Sequence, residues 1–452
     1  MTEILALLQC IDPFVTTTTI RQMSCIMTAM LSMTGRVTML NISRWTEKGG
    51  SYRTVQRWYY TVVPWALAFW LFFRQHLFVA GHTYLIVGDE TVVGKSGKET
   101  YGLDRFFSGL FEKVIPGLSF FALSLVSVQE NQSYPIMVEQ VVRTEEEKEA
   151  AKSKKKAKKQ KKMASKPNRK PGRPKGSKNK DKTQVRLTPE LELIKTMVQK
   201  LLLLVGGTLS LTYLVLDGKF GHNNALQMTL QCGLQLISKL RCDAALYFPY
   251  DGPYSGSGAP KKYGDRVDYC NIPEQYLMEE YIEDDIQTCI YQIEALHKEF
   301  AQPINVVVIV KVNLKTQARA HVILFSSDLQ LSYNLLIDYY ALRFQIEFDF
   351  RDAKQYWGLE DFMNIKQVPV TNAANLSLFM VNLSRLLLRH FRKLRPGAGV
   401  LDLKTHFHAY RYVSETLKCL PEIPDPVLIQ HVLETVSQLG AIHPAQLCPD
   451  TS

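Results

Sequence analysis

Residues 338–362 read DYYALRFQIEFDFRDAKQYWGLEDF, and the spacing of four side chains in this stretch decides how the rest of the chain is read. Tyr340, Arg343, Glu347 and Lys354 form a Y-x2-R-x3-E-x6-K array. At about 100° per residue, the four fall within roughly 60° of one another on a single helix. A rise of about 1.5 Å per residue spreads them over roughly 21 Å, with Arg343 about 6 Å and Lys354 about 10 Å from Glu347. That is too long for one small-molecule pocket. It suits a carboxylate that acts on one phosphate while its neighbours hold others along a strand. A solvated helix face with an i, i+4 ion pair accounts for any single pair here, so it is the four together that matter.

The surrounding chain carries its charge unevenly. Its 452 residues have a net charge of +11, yet between Thr144 and Lys182 there are 17 Lys/Arg against 5 Asp/Glu. That local +12 leaves the rest near −1 (+11 less +12), so the basicity belongs to one insert. A hydrophobic content of 46% is ordinary for a folded body, which confines any disorder to local segments. The eight cysteines are scattered without a C-x-x-C pair, which predicts reduced thiols and no structural zinc site. Two apolar runs fall short of membrane spans: Tyr59–Phe73 is interrupted by Pro64, and Leu201–Leu216 holds Gly206-Gly207 and ends on Asp217. Met1–Leu8 carries Glu3 and no basic region, so a cytoplasmic location is expected.

Periodicity divides the chain coarsely. The first 75 residues read as helical, with a Gly49-Gly50 break and a Ser51 cap opening a helix that carries Arg53 and Arg57. Two short helices around a glycine turn suit a DNA-binding helix-turn-helix and ordinary bundle packing equally. From His82 the pattern turns to α/β: strand-like runs at Thr83–Gly88, Leu118–Val128, Tyr134–Val142, Leu211–Leu216 and Leu234–Leu240, with helical runs at Pro189–Leu204 and His222–Cys232. Pro249–Tyr263 is rich in turn residues, and Asn305–Val312 and Ala318–Phe325 read as a strand pair. Asn372–Arg395 and Pro424–Leu439 close the chain as amphipathic helices.

Asp89 and Asp217 each follow a predicted apolar strand, and an acid there emerges at the edge where open α/β sheets place their ligands. Alone, such an acid is most often a turn former. Two of them together with a helix glutamate form the set that two hard cations need to bridge a scissile phosphate, because Mg²⁺ takes few carboxylates and leaves its other positions to water and phosphate.

The array Tyr340, Arg343, Glu347, Lys354 and the order Asp89…Asp217…Glu347 resemble the Y-R-E-K signature and D-D-E triad of bacterial insertion-sequence DDE transposases (the type 4 class) over roughly residues 10–400. The resemblance implies that Asp89, Asp217 and Glu347 are catalytic and hold two Mg²⁺ ions, with Mn²⁺ able to substitute. It also implies that Tyr340, Arg343 and Lys354 contact phosphate or the DNA end. An RNase H-like α/β core with a β-rich insertion is the implied fold, with helical regions at both termini. The expected division is a helical DNA-binding region at 1–78, core segments at 79–143, 184–242 and 328–400, a disordered Lys-rich insert at 144–183, a β-rich insertion at 243–327 and a helical tail at 401–452. Double-stranded DNA is the implied partner, bridged by a homodimer associated with the bacterial nucleoid. Two features depart from the pattern: Glu90 stands where many relatives have a second Asp, and the Lys-rich insert is not general. Within that insert Pro171-Gly172-Arg173-Pro174-Lys175, preceded by Arg169-Lys170, partly resembles an AT-hook. Arg173 would then enter an A/T-rich minor groove, flanked by Lys170 and Lys175. Cut-and-paste transposition is the leading expectation. A structure-specific nuclease of the same fold and a catalytically silent DNA-binding derivative stay open beside it.

Overall fold

The computed structural model describes residues 2–46, 50–109, 111–147, 149, 153, 181–254, 256–422 and 424–443. Five helices open it: α1 (Thr2–Leu7), α2 (Thr17–Ser32), α3 (Met39–Trp45), α4 (Tyr52–Tyr59) and α5 (Trp65–Phe72). Short polar side chains set their starts. Thr16 accepts from the Thr19 amide at 3.3 Å and Ser51 from the Thr54 amide at 3.4 Å, which satisfies amides that the first turn leaves unpaired. Trp58, Trp65, Phe69 and Phe72 then pack into the interior.

The sheet follows. β1 (Tyr84–Gly94), β2 (Asp104–Ser108), β3 (Lys113–Ser127) and β4 (Gln132–Val141) form an antiparallel group. Helix α6 (Pro189–Val205), started by a Thr188 cap and Pro189, leads to β5 (Tyr213–Leu216). Helix α7 (Asn223–Gln231) then leads to β6 (Gln235–Leu240), and β5 lies parallel to both β1 and β6. The remaining strands are β7 (Leu246–Pro249), β8 (Tyr263–Arg266), β9 (Leu277–Glu283), β10 (Ile286–His297), β11 (Ile304–Asn313) and β12 (Arg319–Ser326). β12 pairs with β6 (Ile323 opposite Leu240), so residues 246–326 extend the same sheet. Its order is β2-β3-β1-β5-β6-β12-β11-β10-β7-β8, with β4 on β3 and β9 on β10.

Five helices end the described chain: α8 (Tyr333–Leu342), α9 (Gln345–Tyr356), α10 (Gln367–Leu394), α11 (Val400–Leu417) and α12 (Pro426–Val436). α10 is the spine that joins the sheet to the N-terminal helices. Its Asn372 donates to the carbonyls of Tyr59 and Thr61 and accepts from the Trp65 indole, while Asn382 donates to the Pro135 carbonyl on β4. These amides satisfy backbone groups that would otherwise be buried unpaired. Among the described residues, no helix is long and apolar enough to cross a membrane.

Candidate active site

The site starts from the register of two strands. β1 and β5 pair Ile86 with Leu214, Val87 with Val215 and Gly88 with Leu216. Asp89 and Asp217 come next on each strand, so both leave the parallel ladder at one level, on strands spaced about 4.8 Å apart. Gly88 permits the close approach: a Cβ there would lie 2.9 Å from both Leu216 Cδ2 and Phe121 Cζ.

Asp89 does not end its strand, as the apolar run suggests. β1 continues to Gly94 because its antiparallel partner β3 continues, placing Ala122 opposite Asp89 and Gly117 opposite Gly94. What ends at this level is the parallel neighbour β5, and that opens the edge on which both aspartates stand.

The signature segment is likewise not one helix. Tyr340 lies in the last turn of α8 while Glu347 and Lys354 lie on α9, with Arg343 and Phe344 between the two helices. The linking amides bond three residues back, Arg343 to Tyr340 (3.2 Å), Phe344 to Ala341 (3.1 Å), Ile346 to Arg343 (3.2 Å) and Glu347 to Phe344 (3.1 Å). Such i→i+3 bonds tighten the turn to about three residues, which brings side chains three apart into line, and the Tyr340 ring centre lies 5.9 Å from the Arg343 guanidinium.

Arg343 gathers the site. Only 8% of its side chain is exposed, and it donates to Asp89 Oδ2 and to Glu347 Oε1, each at 3.0 Å. Asp89 Oδ1 accepts from the Glu90 amide at 2.8 Å, so both of its oxygens are engaged. Burial pushes the Asp89 carboxyl up to about 6 against the pull of Arg343 and the Glu90 amide, and the Asp217 and Glu347 charges add to the rise. Those same two charges place Asp217 and Glu347 within electrostatic reach of Asp89. Burial raises the half-buried Tyr340 phenol, with Asp217 and Asp89 also near enough to contribute. Asp217 itself accepts from the Lys219 amide at 3.0 Å, and its carbonyl accepts from Ser238 at 2.8 Å.

Other expected contacts lie elsewhere. Lys354 turns back onto β1, donating to the Val92 carbonyl at 3.0 Å and pairing with Glu360 at 3.3 Å. Arg53 and Arg57 stand on the exposed side of α4, opposite the buried Val55 and Trp58. Lys170, Arg173 and Lys175 lie outside the described residues. Glu90 bonds Ser119 and Lys219 (2.8 Å), and Lys219 reaches on to Glu190 (2.5 Å), tying the middle of β1 and the turn after β5 to α6. Burial pushes the Glu90 carboxyl up, but Lys219 and Ser119 outweigh it and hold it below its ordinary value.

Asp349, two residues past Glu347, escapes the motif reading. It is fully buried, accepting from Ser124 on β3 (3.0 Å) and Ser133 on β4 (2.5 Å), with Arg385 of α10 paired at 2.5 Å. One carboxylate therefore pins α9 to the sheet and fixes where Glu347 stands. A sequence signal exists: Ile346, Asp349, Phe350 and Ala353 share one helical face, and a lone acid on an apolar face demands a buried partner.

Among the described residues, no three Asp, Glu, His or Cys side chains gather closely enough to hold a metal ion, and the Arg343 guanidinium lies between the first and third acids. No curated protein matches the chain significantly. The model of the family described as DDE superfamily endonuclease matches residues 6–290, a stretch that includes Asp89 and Asp217 and stops before Glu347. This match spans more than half of the sequence, and the chain belongs to the DDE superfamily endonuclease family.

Proposed function

We propose that the chain is a cut-and-paste DNA transposase of the Y-R-E-K class, which hydrolyses DNA at the ends of its element and joins the freed 3′-OH to target DNA. The observation that carries this reading is the acid arrangement. Two aspartates occupy equivalent positions on neighbouring parallel strands, and an arginine bonded to the first also holds the helix glutamate. The strand order β4-β3-β1-β5-β6, antiparallel on one side of β1 and parallel on the other, supports an RNase H-like core.

The donor chemistry fits hard divalent cations, since all three acids offer carboxylate oxygens and a single guanidinium offsets their charge. Asp89, Asp217 and Glu347 would hold two Mg²⁺, or Mn²⁺ in their place. Such ions, when bound, would supply the charge that activates an attacking oxygen and offsets the leaving one, so the same three carboxylates would serve both transfers. The chain's own residues do the holding. The Glu90–Lys219–Glu190 bridge holds β1 and the turn after β5 together beside the aspartates, Asp349 fixes α9, and Tyr340, Arg343 and Lys354 meet phosphates or the DNA end. Arg53 and Arg57 on α4, and Lys170, Arg173 and Lys175 in the basic insert, provide further DNA contacts. In this reading 1–78 binds DNA, 79–143, 184–242 and 328–400 build the core, 243–327 is its β-rich insertion, 144–183 is a tether and 401–452 a helical tail. Two copies bridge the DNA ends in the cytoplasm.

The test is a plasmid carrying the inverted repeats that flank the coding region. Purified protein with Mg²⁺ should release the fragment between the repeats and yield joined products with a target plasmid. Cleavage without joining would reduce the protein to a nuclease.

A further inference from the structure

The surroundings of Arg343 are those of a counter-ion more than of a residue waiting for phosphate. Its guanidinium is buried, forks between Asp89 and Glu347, lies 4.4 Å over the Phe344 ring, and keeps an Nε with no acceptor. Lys219, which follows Asp217 by two residues, is committed to Glu90 and Glu190. Among the described residues, three carboxylates thus share one positive charge, a local balance of −2. Both Asp89 oxygens accept a hydrogen bond, one of them from the Arg343 guanidinium, so a divalent cation that approaches Asp89 meets a positive charge already bonded to it.

We propose that Arg343 is an internal lock on the acid cluster. The guanidinium and divalent cations compete for Asp89 and Glu347, and a DNA phosphate that draws the guanidinium away opens both carboxylates. This rests on the reading of the three acids as metal ligands. The cost of breaking the Arg343 bridges falls once, on whichever of DNA or metal binds first. The two therefore bind with positive cooperativity, and the coupling is the same in either direction. A metal held loosely before DNA arrives also keeps the nuclease idle off its substrate.

The experiment is Mn²⁺ titration of the full-length protein, followed by the spin-resonance signal of the free ion, with and without a short duplex of arbitrary sequence. Arg343→Gln should bind Mn²⁺ about tenfold more tightly than wild type without DNA, the worth of one charge-assisted hydrogen bond. Duplex should tighten wild-type binding and leave Arg343→Gln unchanged. Arg343→Lys, which keeps the charge but not the fork, should fall between them and serves if the glutamine variant fails to fold. Equal or weaker Mn²⁺ binding by these variants overturns the lock, because an arginine that merely organises the acids gives that sign. Asp217→Asn in the same titration separates the two readings: weakened binding keeps the acids as ligands even if the lock fails, whereas unchanged binding defeats both.

Discussion

Asp349→Ala should be among the most damaging single changes in this chain, and the structure says by how much. The carboxylate is completely buried and joins α9 to β3, β4 and α10 through Ser124, Ser133 and Arg385. Truncation leaves two buried hydroxyls short of an acceptor, and an arginine only 11% exposed without its counter-charge. Breaking a buried pair from one side costs about 3–5 kcal/mol. Arg385 still donates to the Ser133 carbonyl, which argues for the lower half of that range. At about 2 °C per kcal/mol for a large cooperative unit, the melting temperature should drop by roughly 6–8 °C. Thermal unfolding by far-UV circular dichroism measures it, and a double-mutant cycle apportions it. Asp349→Leu with Arg385→Met should recover at least about half of the single-mutant loss, because apolar replacement of both partners is often neutral. An Asp349→Ala melting point within a degree or two of wild type, or strictly additive losses in the cycle, would refute this account of what seats α9.

Three further outcomes are expected. Asp402 is buried at the start of α11. Burial pushes its carboxyl up, but the amides of Gly399, Ile442 and His443 and the His443 ring outweigh this and hold it at about 2. Because the folded value lies below the unfolded one, about 2 kcal/mol of stability is present above pH ~4 and lost as the pH falls towards 2. Denaturant titrations of wild type and Asp402→Ala across that range should therefore converge at the acid end. Gly88→Ala should press β1 away from β5 beside both aspartates, costing about 1–3 kcal/mol and cutting DNA cleavage more than DNA binding in paired gel assays. Replacing 150–180 with a Gly/Ser linker, while keeping Lys182 on the carbonyls of Lys298 and Phe300, should leave the melting temperature nearly unchanged. It should also flatten the salt dependence of DNA binding, by about 0.9 in log–log slope for each phosphate that is no longer neutralised. An unchanged slope would remove the insert from the DNA interface.

The site was legible where chemistry is written in local order. The apolar runs before Asp89 and Asp217, the Ser51 cap, the helical run from Pro189 and the strand pair 304–326 all correspond to elements in the structure. What was not legible depends on partners distant in sequence. β1 outruns its apolar stretch because β3 supplies the ladder, and a charged residue at 89 hides that continuation. The tight link at Arg343–Phe344 contains neither Gly nor Pro; a forked ion pair to a strand 254 residues away accompanies it. β2 and β9 are short or exposed strands whose patterns carry little apolar signal, and their pairing comes from the longer β3 and β10. Lys354 shows the same limit, since spacing aims it at phosphate but not at the Val92 carbonyl that it meets here.

The three acids are tested most directly by end cleavage with Asp89→Asn, Asp217→Asn and Glu347→Gln in Mg²⁺ and in Mn²⁺, beside DNA binding by the same preparations. Each change keeps the shape of the side chain and removes one charge that holds the cations. All three should bind DNA nearly as wild type does and cut it at no detectable rate, and EDTA should silence the wild type. A variant that cuts at near the wild-type rate would show that its residue is not a ligand, and the proposed acid triad would be wrong.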